Sequence, residues 1–352
     1  MLQKYLNKKW FLAIILICSF LSGILISATG FAVYHVIVTS SAYNHPSTVN
    51  SFAKATPAPI NQNNPEKGIY NALLLGYGGG NHEGTDLTDS IIVLHVNTNT
   101  KNADLISIPR DLWVPGNQKI NSVGAISGFA NVGAATTNVT GLPINYYVAI
   151  DFDEYSKLVD NLGGITIIMP NTLDDPYYPI IGQENNTCGF TDAQIFDLKN
   201  KYGQSGFDLE KQFTCRYEHL QYQQGQKYNI DGATALKIAR SRHGDSDFAR
   251  SLRQFAELQG IMQKLISLRS LNKLDNTVST LFSMVKTDLD LGTIKSLSEV
   301  FGDPGLYKIN QIQLTSDNVL QNSTSSDGEF ILVPKAGNQD FTQVKNYINQ
   351  NL

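Results

Sequence analysis

The chain has seven arginines, and four of them fall in one short stretch, Arg240-Ser-Arg242-His-Gly-Asp-Ser-Asp247-Phe-Ala-Arg250-Ser-Leu-Arg253-Gln254. Lysine is used for most of the remaining positive charge. Concentrating guanidinium groups in one place points to use of their planar, bidentate fork. Asp247 reads as the N-cap of a helix. Arg250 and Arg253 then lie three apart on one face, with Gln254 beside them, and Arg240 and Arg242 end the preceding helix. A helix N-terminus attracts anions, and four guanidinium groups around it repel one another unless an anion sits among them. Phosphate or pyrophosphate is the natural counter-ion. The alternative is local pairing with Asp245, Asp247 or Glu257, but exposed pairs contribute only about 0–1 kcal/mol each, a weak reason for the concentration.

Two further constellations could join this anion site. Ser107-Ile-Pro109-Arg110-Asp111, followed by Lys119-Ile-Asn121, places Arg110 just past an apolar strand, where α/β sheets bind ligands. A surface Arg–Asp turn is the alternative. Gly78-Gly-Gly80-Asn-His82-Glu83-Gly-Thr-Asp86-Leu87-Thr-Asp89 is a glycine-rich loop leading to carboxylates. It lacks the Gly-Lys-Ser/Thr ending of a Walker A loop, which excludes that route to nucleotide hydrolysis. Asp86 and Asp89 are candidate Mg²⁺ ligands, because that ion takes one or two carboxylates plus phosphate oxygens and water. Backbone capping in a turn is the alternative. No Ser-His-Asp or Cys-His pairing has credible spacing, and the six histidines form no metal-ligand pattern.

These residues need a rigid frame, and the sequence between them supplies one. Asn71–Tyr77, Asp89–Asn97 and Ala103–Pro109 are near-continuous aliphatic runs, predicting strands buried on both faces. Asn145–Asp151 and Ile165–Pro170 are further strands. Phe152–Gly164 has apolar residues at helical spacing and stops at Gly163-Gly164. Asp231–Arg242 and Asp247–Leu268 predict two more helices, the second with a core face of Phe248, Leu252, Phe255, Met262 and Leu265. Strands alternating with helices imply an α/β fold, a central mixed sheet flanked by helices on both faces. Residues 171–228 are polar, Tyr/Gln/Asn-rich and read as an irregular insertion, a candidate lid. After 270 the pattern predicts a helix over Thr293–Phe301, a strand at Phe330–Pro334 and a helix near Asp340–Ile348.

The 352 residues suffice for one large domain. A net charge of -4 argues against general nucleic-acid binding. Trp10–Tyr34 carries no charged side chain and is long enough to cross a bilayer, too long for the apolar region of a cleaved signal peptide. Lys4, Lys8 and Lys9 precede it and no Lys or Arg follows until Lys54. The positive-inside rule therefore predicts a cytoplasmic tail at 1–9, a transmembrane helix at 10–38 and everything later outside the cell. Residues 39–66, rich in Ser, Thr, Asn and Pro, read as an extracellular linker. Cys188 and Cys215 lie within the insertion; a disulfide suits an oxidising compartment, with two free thiols as the alternative. A zinc site is poorly supported, since only His219 lies nearby. The folded region is expected at 67–270, with 171–228 as its insertion and 271–352 as a C-terminal extension.

Taken in order, NALLLG, the Thr-Asp89-Ser-Ile-Ile strand, SIPRD with KIN, YYVAIDFDEYSKLVDNLGGI and RSRHGDSDFARSLRQ resemble the LytR-CpsA-Psr family over residues 67–270. The resemblance implies a Mg²⁺-assisted, membrane-anchored phosphotransferase. Such an enzyme moves a glycopolymer, a teichoic acid or capsular polysaccharide, from a polyprenyl-pyrophosphate carrier to peptidoglycan through a phosphodiester. It places the prenyl chain in an apolar pocket between sheet and helices. It makes Asp89 the metal carboxylate and Arg110, Arg240, Arg242, Arg250, Arg253 and Gln254 the pyrophosphate ligands. Two positions depart from the pattern: Gly78 stands where the family has Asp, and Leu87 where it has Arg. Glu83, His82 and Asp86 are the nearest replacements. A polyprenyl-pyrophosphate hydrolase and a non-catalytic wall-binding or regulatory module are the competing readings.

Overall fold

The computed structural model describes residues 68–80, 85–242, 246–270 and 282–352. The expected cytoplasmic tail, transmembrane helix and linker lie outside these residues, as do His82, Glu83, His243 and Asp245. Among the described residues no helix is long and apolar enough to cross a membrane.

The frame is a mixed sheet of six strands: β1 (Ile69–Tyr77), β2 (Thr88–Asn97), β3 (Asn102–Ser107), β6 (Tyr146–Asp151), β11 (Lys286–Thr287) and β12 (Lys308–Gln313), in the order β11-β6-β1-β2-β3-β12. Strand β1 runs antiparallel to β2 and parallel to β6, and β3 runs parallel to β12. The unbroken aliphatic run of β1 serves both faces. Ala72 and Leu74 join one core cluster while Leu73 and Leu75 join the other, as the period-2 alternation of a strand requires. On the first face lie α3 (Phe152–Asn161), α6 (Gly232–Arg240), α7 (Asp247–Ser270) and α8 (Leu291–Phe301); on the second lie α1 (Ile120–Ser127), α2 (Phe129–Thr140) and α9 (Thr342–Asn351). Each fully buried Leu on these faces contributes about 1.5–3 kcal/mol.

Four two-stranded ribbons complete the fold. They pair β4 (Trp113–Val114) with β5 (Gln118–Lys119), β7 (Ile165–Ile168) with β10 (Lys227–Ile230), β8 (Leu173–Pro179) with β9 (Tyr217–Tyr222), and β13 (Leu320–Thr324) with β14 (Phe330–Pro334). The Ile165–Pro170 strand thus belongs to a ribbon, not to the central sheet. Helix α7 lies directly on it: a Cβ on Gly260 would come within 2.7 Å of the Thr166 carbonyl oxygen.

Two expectations are refined. The insertion is not irregular. It forms the β8/β9 hairpin and the helices α4 (Asp192–Tyr202) and α5 (Phe207–Glu210), and Cys188 is disulfide-bonded to Cys215. The region expected as a C-terminal extension is built into the sheet, with β11 and β12 at its two edges and α9 packed on the second face.

Candidate functional site

Two halves meet at the site, one made of strand ends and the other of the α6–α7 junction. Opposite β1, the register pairs Tyr77 with Thr88 and Gly76 with Ser90, so Asp89 is the extra residue of a β-bulge. A bulge re-aims a side chain that regular pairing would direct elsewhere. The Asp89 carboxylate is fully enclosed and accepts a 2.5 Å hydrogen bond from Arg110 Nη1. Arg110 stands just beyond β3, where the backbone turns; its carbonyl accepts from Asn121 N at 3.2 Å. Its Nε lies 3.6 Å from Asp111 Oδ2, and Lys119 Nζ bridges Asp111 and Glu329 at 3.2 Å each. The SIPRD and KIN segments are therefore one charged network, with Arg110 facing Asp89.

The second half begins with α6. Asp231 caps its N-terminus, accepting from Thr234 N at 2.8 Å, and Gly232 lets it lie against α3, where a Cβ would come 2.0 Å from the Ser156 carbonyl oxygen. The last helical residue is Arg240. Its guanidinium carbon sits 4.8 Å from the Phe152 ring centroid, a cation–π geometry, and its charge acts on the buried Tyr178 hydroxyl. Burial raises the Tyr178 hydroxyl above its ordinary pKa, and the Arg240 charge opposes that rise. Arg240 and Arg242 are both half-buried. The two halves are tied directly: Ser90 Oγ donates to Gln254 Oε1 at 3.3 Å, and Ser107 Oγ to Ser251 Oγ at 3.1 Å. Gln254 Nε2 reaches back to the Ala239 carbonyl at 3.5 Å.

The sequence-predicted anion ligands do not all play one part. Arg110, Arg240 and Arg242 retain exposure, whereas Arg250 and Gln254 are buried. Arg253 is fully buried, donating through Nε to the Ile238 carbonyl at 3.0 Å and through Nη2 to the Ser241 carbonyl at 2.7 Å. These acceptors are among the carbonyls that a helix C-terminus leaves without an intrahelical partner. Below Arg253, Glu257 Oε2 accepts from the Tyr155 hydroxyl at 2.5 Å. Burial pushes the Glu257 carboxyl well above the usual carboxylate range, with Tyr155 and the Arg253 charge opposing the rise. Neither the Glu257 role nor the contacts of Tyr178 had a signal in residue type or spacing.

The two predicted metal carboxylates are not equivalent. Asp86 is half-exposed and lies 3.8 Å from Lys286 Nζ, which in turn sits 4.6 Å over the Tyr77 ring. Asp89 is enclosed beside Arg110. Among the described residues no three His, Cys, Asp or Glu side chains gather into a metal-binding group. The donor set therefore suits a hard cation that takes one protein carboxylate, Asp89, and completes its shell from other oxygens; Asp86 is engaged elsewhere. Lys286 also brings a cation beside Tyr77 near Gly78 and Leu87, and no spacing argument could have placed it there.

The LytR_cpsA_psr family profile matches residues 33–343. The chain belongs to the LytR-CpsA-Psr family. Among curated members of the family, it is 27% identical over 291 residues to the polyisoprenyl-teichoic acid–peptidoglycan teichoic acid transferase TagU of Enterococcus faecalis, covering 79% of this chain and 80% of that one. The TagU protein of Bacillus anthracis is 27% identical over 320 residues, covering 86% and 89%. Among solved structures, B. subtilis TagV superposes with a TM-score of 0.56 at 20% identity, covering 81% of this chain and 99% of that one. TagT bound to LI-WTA superposes with a TM-score of 0.53 at 22% identity, covering 82% and 93%. The mixed sheet with helices on both faces is thus the fold of this family.

Proposed function

We propose that the chain is a phosphotransferase that moves a glycopolymer from a polyprenyl-pyrophosphate carrier to peptidoglycan, outside the cell. The observation that carries this reading is the meeting of the enclosed Asp89–Arg110 pair with the Arg240–Arg242 turn across the Ser90–Gln254 bond. A pyrophosphate needs several fixed cations, and the site offers them on rigid elements. The curated relatives named as teichoic acid transferases support the glycopolymer and the acceptor.

In the reaction, the oxygen of an acceptor sugar hydroxyl attacks the phosphorus next to the glycopolymer. A P–O bond to the bridging oxygen breaks, the polymer becomes linked by a phosphodiester, and the polyprenyl phosphate leaves with the proton that the hydroxyl gives up. Phosphoryl transfer is accelerated mainly by placement and by neutralising charge. In this reading Arg240 and Arg242 hold the leaving phosphate and Arg110 the transferred one. Asp89 keeps Arg110 oriented. Mg²⁺ held by Asp89 would neutralise further charge on the phosphates.

The apolar run at 10–34 would anchor the chain as a single-pass membrane protein with its N-terminus in the cytoplasm. The Cys188–Cys215 disulfide supports an extracellular place for the domain. The test uses the full-length chain in detergent with a polyprenyl-pyrophosphate-linked glycan, with and without Mg²⁺ and with and without peptidoglycan. Product linked to peptidoglycan, diminished by Arg240→Ala, is expected. Release of free glycan phosphate without an acceptor would make it a hydrolase, and no turnover with intact binding would make it a wall-binding module.

A further inference from the structure

The disulfide-clasped insertion touches the arginine turn through one strand. Asp175 and Tyr178 both lie on β8, and the register of β8 against β9 breaks between them. Regular alternation would put residues three apart on opposite faces. The break lets both reach inward: Asp175 and Tyr178 are buried while Asp174 and Pro176 are exposed. Asp175 Oδ2 accepts from Ser241 Oγ at 2.5 Å, and the buried Tyr178 hydroxyl faces the Arg240 charge, which opposes the rise that burial causes. From β9, Glu218 pairs with Lys237 of α6 at 2.8 Å. Two contacts from one hairpin thus land on Lys237 and Ser241, on either side of Arg240, at the end of the helix that presents the arginines.

Ser241 stands between Arg240 and Arg242 and is itself buried. Its carbonyl is held by Arg253 of α7 and its hydroxyl by Asp175. A backbone unit fixed from both sides cannot rotate, so the side chains before and after it leave in set directions. Burying the Asp175 carboxylate is costly; its Oδ1 accepts from Tyr177 N at 2.9 Å within the hairpin while Oδ2 reaches Ser241, so one carboxylate ties the broken register of β8 to the arginine turn. We propose that the insertion is a positioning element, and that Asp175 and Tyr178 set the spacing of the Arg240 and Arg242 guanidinium groups that hold the pyrophosphate. This rests on the anion-site reading above. The insertion is then one wall of the site, with Asp175 and Tyr178 as positioning residues acting through Ser241 and Arg240.

The test measures the affinity of the full-length chain in detergent for inorganic pyrophosphate, with unfolding midpoints in parallel. Tyr178→Phe and Ser241→Ala each delete only a hydroxyl, so the hairpin and its packing persist. Each should weaken pyrophosphate about 2–10-fold, the worth of one polar contact. Tyr178→Phe should leave the unfolding midpoint near the wild type's, whereas Ser241→Ala, which strips the buried Asp175 carboxylate of a donor, should lower it, so affinity is read far below both midpoints. In an Arg240→Ala background, Tyr178→Phe should have no further effect, because its partner is gone. Wild-type affinity in both single variants, beside a weakened Arg240→Ala, would overturn the inference and leave the anion site standing. So would an undiminished effect of Tyr178→Phe in the Arg240→Ala background. Failure of the wild type to bind pyrophosphate at all would overturn both readings.

Discussion

Arg253→Ala separates a structural arginine from a ligand-binding one. The wild-type guanidinium donates to two buried carbonyls, at 3.0 Å to Ile238 and 2.7 Å to Ser241. A hydrogen bond from a charged group is worth about 1.5–3 kcal/mol, and its removal leaves a buried acceptor without that donor. Two such losses come to about 3–6 kcal/mol. The buried Glu257 carboxyl also loses a positive neighbour that opposes its rise. A native state stable by about 5–15 kcal/mol can lose a third or more of its stability this way. Arg240→Ala, which removes a half-buried side chain at the surface of the site, should cost about 1 kcal/mol or less in stability. The assay is urea unfolding of the full-length chain in detergent, beside pyrophosphate affinity measured far below the midpoint. Arg253→Ala should shift the midpoint strongly, Arg253→Lys by roughly half as much because a single ammonium replaces a fork, and Arg240→Ala hardly at all. If Arg253→Ala kept the wild-type midpoint and lost pyrophosphate affinity as Arg240→Ala does, the assignment of Arg253 to the helix end would be refuted.

Three other outcomes follow from named contacts. Replacing Cys188 and Cys215 by Ser opens a loop with a sequence separation of 27; the chain-entropy estimate is about 3.5 kcal/mol, felt in the insertion, and proteolysis of the β8/β9 region under native conditions should rise accordingly. Glu257→Gln changes the pH dependence of stability. The folded carboxyl keeps its proton above the usual carboxylate range, so as pH rises through about 4.3 the unfolded chain ionises first and the folded state loses ground. The variant lacks this loss, and its midpoint should fall less than the wild type's between pH 5 and pH 8, by about the measurable part of one proton's linkage; equal slopes would contradict the raised carboxyl. Gly232→Ala places a Cβ 2.0 Å from the Ser156 carbonyl oxygen; α6 must move off α3, at about 1–3 kcal/mol or more, and both the unfolding midpoint and the pyrophosphate affinity should drop together.

The strands of the sheet were legible because hydrophobic runs buried on both faces have few other uses. The helix at Phe152–Asn161 was legible because its apolar spacing and the Gly163-Gly164 stop agree; its Asp151 cap emerges from the structure. Helices α1 and α2 carried no such signal. Their sequence, from Ile120 to Thr140, is rich in Gly, Thr, Asn and Ser, residues that favour turns or strands. They become helical because Ile120, Val123, Val132 and Val139 pack on the sheet's second face. The edge strands after residue 282 are short, and pairing over large sequence distances cannot be read from local pattern.

The arginine cluster shows most clearly where sequence reasoning ends. Residue type and spacing locate four guanidinium groups, but they treat them alike. In α7 the face that carries Arg250, Arg253, Gln254 and Glu257 is also the face that carries Phe255, Leu258 and Ile261 into the core. Apolar periodicity finds that face only through its apolar members, and reads polar residues within it as solvent-facing or ligand-facing. What decides between them is depth. Arg253 lies one turn further along α7 than Arg250 and meets the open carbonyls of α6, so its charge goes to the frame. Arg240 and Arg242 flank the Ser241 carbonyl and keep part of their surface exposed. The same four residues thus divide into support and site according to where one helix stops against another, a boundary that Gly232, Ser241 and the insertion set together.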